Sequence, residues 1–189
     1  MSDAASAGVD GIVAVVTLAV ESLTSVVEGD WSVRAGSVEW SCWQTVDHMV
    51  DCVFSYTLQL AGRAQDGWLA LQELHALPSA TPGQLVQALG AVGETFAAVL
   101  RATPAGVTAS DGVQQLDLSD WAARAMYEVV LHTYDVLEGL GGSFEPPPQL
   151  CAAILASPAL WAIDRDRAAN AANPWEALLV ASGRPKPAD

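Results

Sequence analysis

The stretch Met126-Tyr127-Glu128-Val129-Val130-Leu131-His132-Thr133-Tyr134-Asp135 decides how this chain is read. On a helix, Glu128 and His132 lie one turn apart on nearly the same face. A carboxylate and an imidazole at that spacing can chelate one metal ion. A nitrogen from a second helix would complete three protein ligands and leave open positions, as catalytic metal sites do. The surrounding pattern predicts a helix over about 119–140, beginning near Ser119 and stopped by Gly141-Gly142. One face carries Ala122, Met126, Val129, Val130, Val136 and Leu137. A second stripe collects Trp121, Arg124, Ala125, Glu128, Leu131, His132 and Asp135.

The second decisive stretch is Trp40-Ser41-Cys42-Trp43-Gln44-Thr45-Val46-Asp47-His48-Met49-Val50-Asp51. Ser41 followed three residues later by Gln44 is a capping-box pattern, which predicts a helix over about 42–62. Its apolar side carries Val46, Met49, Val50, Val53, Tyr56 and Leu60, and His48 sits on the polar stripe opposite. The chain has three histidines. His75 falls in a Leu- and Pro-rich connection, so His48 is the candidate for the third ligand. Both His48 and His132 are followed at i+3 by an aspartate, Asp51 and Asp135. Metal-bound histidines usually give their second N–H to a carboxylate, carbonyl or water, which casts Asp135, and less directly Asp51, as orienting groups. Cys52, one turn from His48, can approach the same groove, although a free cysteine is most often buried filler. The plain alternative for each candidate is a solvated side chain on a polar face.

Working outward, residues 8–28 read as a helix ending at Gly29, with a strand over Ile12–Val16 as the competing assignment. Residues 29–39 connect it to the next helix, with Trp31 as an anchor, and 66–82 form an irregular crossover. Thr81 and Pro82 open a helix over about 81–101. The stretch 104–117 reads as loop, with Asp111-Gly112 a turn signal. Short helices follow at about 149–156 and 175–181, and the tail Arg184-Pro185-Lys186-Pro187 reads as frayed. The expected architecture is all-α: a four-helix bundle with short additional C-terminal helices, in a single domain spanning 1–189.

Composition supports a folded chain. Its 189 residues are 51% hydrophobic and 16% charged, enough to bury a sizeable core. A net charge of −14 argues against nucleic acid and anionic membrane surfaces as partners. Three cysteines with no C-x-x-C fit a reducing cytoplasm. The apolar run Gly11–Val20 is bracketed by Asp10 and Glu21 and is too short to span a bilayer, so it reads as a core helix. No G-x-S-x-G, phosphate loop, dinucleotide-binding glycine pattern or H-E-x-x-H occurs.

At these residues the chain resembles the DinB-like superfamily, most closely its mycothiol-dependent maleylpyruvate isomerase-like branch. Trp40-Ser41 followed by His48 is similar to the family's helix start with its first metal histidine. Glu128 to Asp135 is similar to its E-x-x-x-H-x-x-D block. Pro174-Trp175-Glu176-Ala177-Leu178-Leu179-Val180-Ala181-Ser182-Gly183-Arg184 is similar to the P-W-x-x-L-L-x-x-x-G-R end of many members. The resemblance implies a bundle that binds one divalent metal, commonly zinc, through His48, Glu128 and His132. It also implies mycothiol as cosubstrate in isomerisation or S-transfer on a small electrophile, and allows a homodimer. The isomerase itself resembles a longer protein with an α/β C-terminal domain, for which the residues after about 145 are too few and too proline-broken.

A divalent cation on a thiol sulfur stabilises the thiolate, so a group of pKa about 8.5 can lose its proton at neutral pH. Trp43, Tyr56 and Trp121 are the candidates for lining a substrate pocket. The same ligands also fit a hydrolase or lyase using metal-bound hydroxide, or non-haem iron for oxygen chemistry. A non-catalytic binding protein on the same scaffold is the alternative from a different class.

Overall fold

The computed structural model describes residues 3–70, 73–160 and 163–185, with the side chains of residues 3–6 left aside. The chain is mostly helical. In order it forms α1 (Asp3–Thr24), α2 (Cys42–Gly62), α3 (Pro82–Ala102), β1 (Ala109–Ser110), β2 (Gln115–Leu116), α4 (Leu118–Gly139), α5 (Pro148–Ala156), a 3-10 turn at Arg167–Asn170 and α6 (Pro174–Ala181). Among the long helices, α1 packs on α3 and α4, and α2 packs on the same two. The helices α5 and α6 pack on each other, and α5 also touches α4.

The helix starts follow from local chemistry. Ser41 Oγ accepts from Gln44 N at 3.2 Å, while Ser41 N donates to Gln44 Oε1 at 3.0 Å. Thr81 and Gln84 make the same reciprocal pair at α3, with Pro82 in its first turn. The cap of α4 is Asp117, one residue before the helix, whose Oδ1 accepts from Ser119 N at 2.8 Å and Asp120 N at 3.0 Å. The stretch 104–117 is more ordered than a loop. Ala109 pairs with Leu116 and Ser110 with Gln115 in a small antiparallel ladder, turned through Gly112 at φ +86°.

The first helix is displaced from the expected 8–28. Ala4 and Ala5, good helix formers, extend it toward the N-terminus. It ends early because the hydroxyls of Thr24 and Ser25 donate to the carbonyls of Val20 and Ser22 at 2.6 Å each. Such side-chain bonds compete with the helical ladder. Residues 25–29 then continue as turns, and the Trp31 indole N–H closes them on the Val26 carbonyl at 3.0 Å.

One apolar cluster joins all the long helices. The expected inward faces of α2 and α4 are buried, including Met49, Val53, Leu60, Val129, Val130 and Leu137. The largest departure concerns the second stripe of α4. Trp121, Arg124, Leu131, His132 and Asp135 are buried as well, so α4 is enclosed nearly all round. Two helical stretches, Ala7–Thr24 and Pro82–Ala102, are long and apolar enough to cross a membrane by length and composition, so the N-terminal run is longer than its Gly11–Val20 centre. Here both place Ile12, Val15, Leu89 and Phe96 in the shared core.

Candidate metal centre

His48 reaches the centre from α2, and the segment before that helix shapes its surroundings. Residues 31–42 fold back on themselves, with Ala35 N donating to Trp40 O and Cys42 N to Val33 O, both at 2.9 Å. This hairpin lays the Trp40 ring 4.6 Å from the His48 ring and 6.0 Å from that of His132, centroid to centroid. The two imidazoles meet edge-on at 5.2 Å. Nothing in the local sequence predicts that Trp40 would cover both.

Glu128 and His132 come from α4 as their spacing requires. Glu128 Oε2 stands 3.8 Å from His48 Nε2 and 3.4 Å from His132 Nε2. One donor atom from each of the three residues lies within 4.8 Å of the others. Ligand atoms about 2.0–2.1 Å from a tetrahedral zinc ion would stand about 3.3–3.4 Å apart. The three side chains therefore fit a divalent cation with little rearrangement.

The hydrogen bonds point the same way. His132 Nδ1 lies 3.0 Å from Asp135 Oδ2, and an ionised carboxylate only accepts, so Nδ1 carries the proton. A neutral His132 then turns the lone pair of Nε2 toward the Glu128 carboxylate. Two lone pairs at 3.4 Å repel unless a cation lies between them, either a proton or a metal ion. On Glu128, burial pushes the carboxyl up, but hydrogen bonds and charge from His132 and His48 more than offset it and hold it at about 2. On His132, burial works against charge while Asp135 and Glu128 raise the imidazole above its ordinary value. Asp135 is fully buried. Burial raises it too, yet His132 and Arg184 draw it below the usual carboxylate range.

Further side chains frame the site. The Tyr56 hydroxyl donates to Glu128 Oε1 at 3.4 Å. Cys52 Sγ sits 3.4 Å from His48 Nε2. Burial, with the carboxylates of Glu128 and Asp51, pushes the Cys52 thiol far above its ordinary value, so by itself it is a poor nucleophile.

A groove of about 1000 Å³ opens beside His48, walled by Trp31, Trp40 and Trp43 and by the carboxylates of Asp47, Asp51 and Glu73. Among the described residues, His75 is its one basic wall residue besides His48. Asp51 does not orient His48; its Oδ1 accepts from Leu74 N at 2.7 Å and from Ser55 Oγ at 3.4 Å. Asp47 accepts from Ala76 N at 2.7 Å and meets His75 Nδ1 at 2.8 Å. The two aspartates thus tie the 73–76 segment to α2.

Of the expected residues, His48, Glu128, His132 and Asp135 come together. Trp43 lines the groove and Tyr56 touches Glu128, but Trp121 lies wholly in the core, against Tyr56 and Arg124. Arg124 is also buried, paired with Asp111 at 2.6 Å. Arg184 corrects the reading of the tail as frayed, because its guanidinium binds both oxygens of Asp135. Lys186 and Pro187 lie outside the described residues. No protein-family model, curated protein or solved structure matches the chain.

Proposed function

We propose that this chain is a divalent-metal-dependent enzyme of the DinB-like type that activates a low-molecular-weight thiol. The reaction is S-transfer to, or isomerisation of, a small electrophile. The observation that carries the reading is the convergence of His48, Glu128 and His132, drawn from two helices, with His132 Nε2 and a Glu128 carboxylate oxygen facing each other at 3.4 Å. Two imidazoles and one carboxylate suit zinc and leave room for a further ligand. When bound, the metal stabilises a thiolate and so supplies the nucleophile near neutral pH.

The chain's own residues hold and select. Asp135 keeps the proton on His132 Nδ1, so that Nε2 is the atom offered to the metal. Trp40 shields one side of both imidazoles, and Tyr56 steadies the Glu128 carboxylate. The groove beside His48 has room for a small ligand; its carboxylates favour one that donates hydrogen bonds and carries no negative charge. Mycothiol is the thiol that the family resemblance implies.

In this reading α1, α2, α3 and α4 are a four-helix bundle with the site between α2 and α4. The protein works in the cytoplasm on small molecules, without nucleic acid or membrane partners.

The test is spectroscopic. Cobalt-substituted protein should develop a new sulfur-to-metal charge-transfer band when mycothiol is added, and thiol should be consumed once an electrophile follows. Glu128→Ala should abolish both. A fully loaded protein whose spectrum ignores saturating mycothiol would refute thiol activation and favour the water-based chemistry.

A further inference from the structure

We infer that Arg184, from the C-terminal segment, is a positioning residue of the metal centre, acting on His132 through Asp135. The inference rests on the metal reading above and adds to it a group outside the ligand-bearing helices.

Local chemistry brings the residue there. α6 docks on α4 through Trp175, whose ring meets that of Tyr134 edge-on at 5.3 Å, next in sequence to Asp135. The helix ends with Gly183 at φ +81°, where Gly183 N donates to Val180 O at 3.1 Å and Arg184 N to Leu179 O at 2.8 Å. This is a glycine-closed helix end that reverses the chain. It delivers Arg184 to α4, where Nε donates to Asp135 Oδ1 at 2.9 Å and an Nη2 hydrogen bond reaches Oδ2.

The arrangement does more than close the tail. Asp135 is fully buried, and the Arg184 side chain is 9% exposed. A buried ion pair is a weak source of stability, because desolvation cancels much of the attraction. What it does provide is direction. A two-pronged guanidinium fixes the plane of the carboxylate. Oδ2 is then left aimed at His132 Nδ1, 3.0 Å away. That bond decides which nitrogen of His132 faces Glu128. Arg184, Asp135 and His132 form one chain of hydrogen bonds ending at the candidate metal.

The experiment compares wild type with Arg184→Met and Arg184→Lys in the full chain. One readout is the zinc dissociation constant by chelator competition. The other is the ¹⁵N–¹H spectrum of the His132 ring in metal-free protein at alkaline pH, above the raised value of this imidazole, where the ring is neutral and its tautomer can be read. Wild type should show a single Nδ1–H tautomer. Arg184→Met should mix the tautomers and weaken zinc about 10-fold or more, the range seen when groups behind metal ligands are lost. Arg184→Lys, which keeps the charge but not the fork, should recover part of both. A merely structural arginine would lower the melting temperature and leave the ring spectrum and zinc affinity unchanged; that result overturns the inference. Should Arg184→Met not fold, Arg184→Gln keeps a donor beside the buried carboxylate and carries the same comparison. If wild type takes up no zinc, the metal reading falls, and the ring spectrum alone decides the role of Arg184.

Discussion

Nε2 of His48, on α2, stands 3.8 Å from Oε2 of Glu128, on α4, and that carboxylate also faces Nε2 of His132 at 3.4 Å. Neither helix can supply this set alone. The first expectation is one divalent metal per chain in protein purified without chelator. His48→Ala, Glu128→Ala and His132→Ala should each lower occupancy while the helical circular dichroism stays close to wild type. Elemental analysis decides it, and full metal retention in all three variants would remove the site.

Gly36 offers a second test, because the connection before α2 leans on the backbone of Asp135. Gly36 has φ +44°, and a Cβ there would lie 3.2 Å from both the Cα and the carbonyl oxygen of Asp135. Gly36→Ala should therefore cost about 1–3 kcal/mol from the left-handed backbone and disturb the Asp135–His132 bond as well. Gly106 is the control. It has φ +85°, and an added Cβ would meet nothing within 4 Å, so Gly106→Ala should lose stability without touching the site. Melting temperatures and zinc affinities of the two variants separate the effects. Equal zinc affinity in both would mean that Gly36 has no bearing on the centre.

Much of this arrangement is legible in the residues themselves. The starts of α2 and α3 are written as Ser41…Gln44 and Thr81…Gln84 pairs, and each box forms. The Glu128–His132 spacing forces the pair together on any helix. Three features escape such reasoning. Helical periodicity assumes one buried face, whereas α4 is covered on its second stripe too, so Arg124 and Asp135 look exposed and are not. The early end of α1 depends on the Thr24 and Ser25 hydroxyls turning onto its own carbonyls. The tail looks frayed because Pro185 and Pro187 interrupt it, yet Gly183 turns Arg184 inward. The signal was the Gly-Arg pair directly after a helix.

A third expectation concerns pH. His75 is held above its ordinary value of 6.5 by hydrogen bonding with Asp47, then with Glu73. The folded chain binds this proton more tightly than the unfolded chain. The stability it contributes is therefore full below about pH 6.5 and is lost as pH rises through the higher folded value. His75 is exposed, so the effect is small and local. The gap in melting temperature between wild type and His75→Gln should be wider at acidic than at alkaline pH, and cleavage within 73–76 by a broad-specificity protease should quicken as pH rises. Curves that run parallel across the range would detach His75 from the segment.

The last expectation follows from the charge of the groove. Asp47, Asp51 and Glu73 line it, His75 is the one basic group besides His48 among the described residues of its wall, and the chain carries a net charge of −14. A negatively charged thiol approaching His48 must enter against these carboxylates. His75 pairs with Asp47 at 2.8 Å, which leaves two unit charges, and each about 8 Å away in water opposes it by roughly 0.5 kcal/mol, before screening by salt. Together they amount to about a 5-fold loss of affinity at low ionic strength. Two thiols of similar length isolate the effect: 3-mercapto-1-propanol, which is uncharged, and 3-mercapto-1-propanesulfonate, whose sulfonate is anionic and a weak metal ligand. Titrated into cobalt-loaded protein, the alcohol should bind about 5-fold more tightly at low salt, and the gap should narrow as salt is added. Asp51→Asn, which leaves the three metal-facing residues in place, should narrow it as well. Equal binding of the two thiols at low salt would mean that the thiol does not reach the centre through this groove.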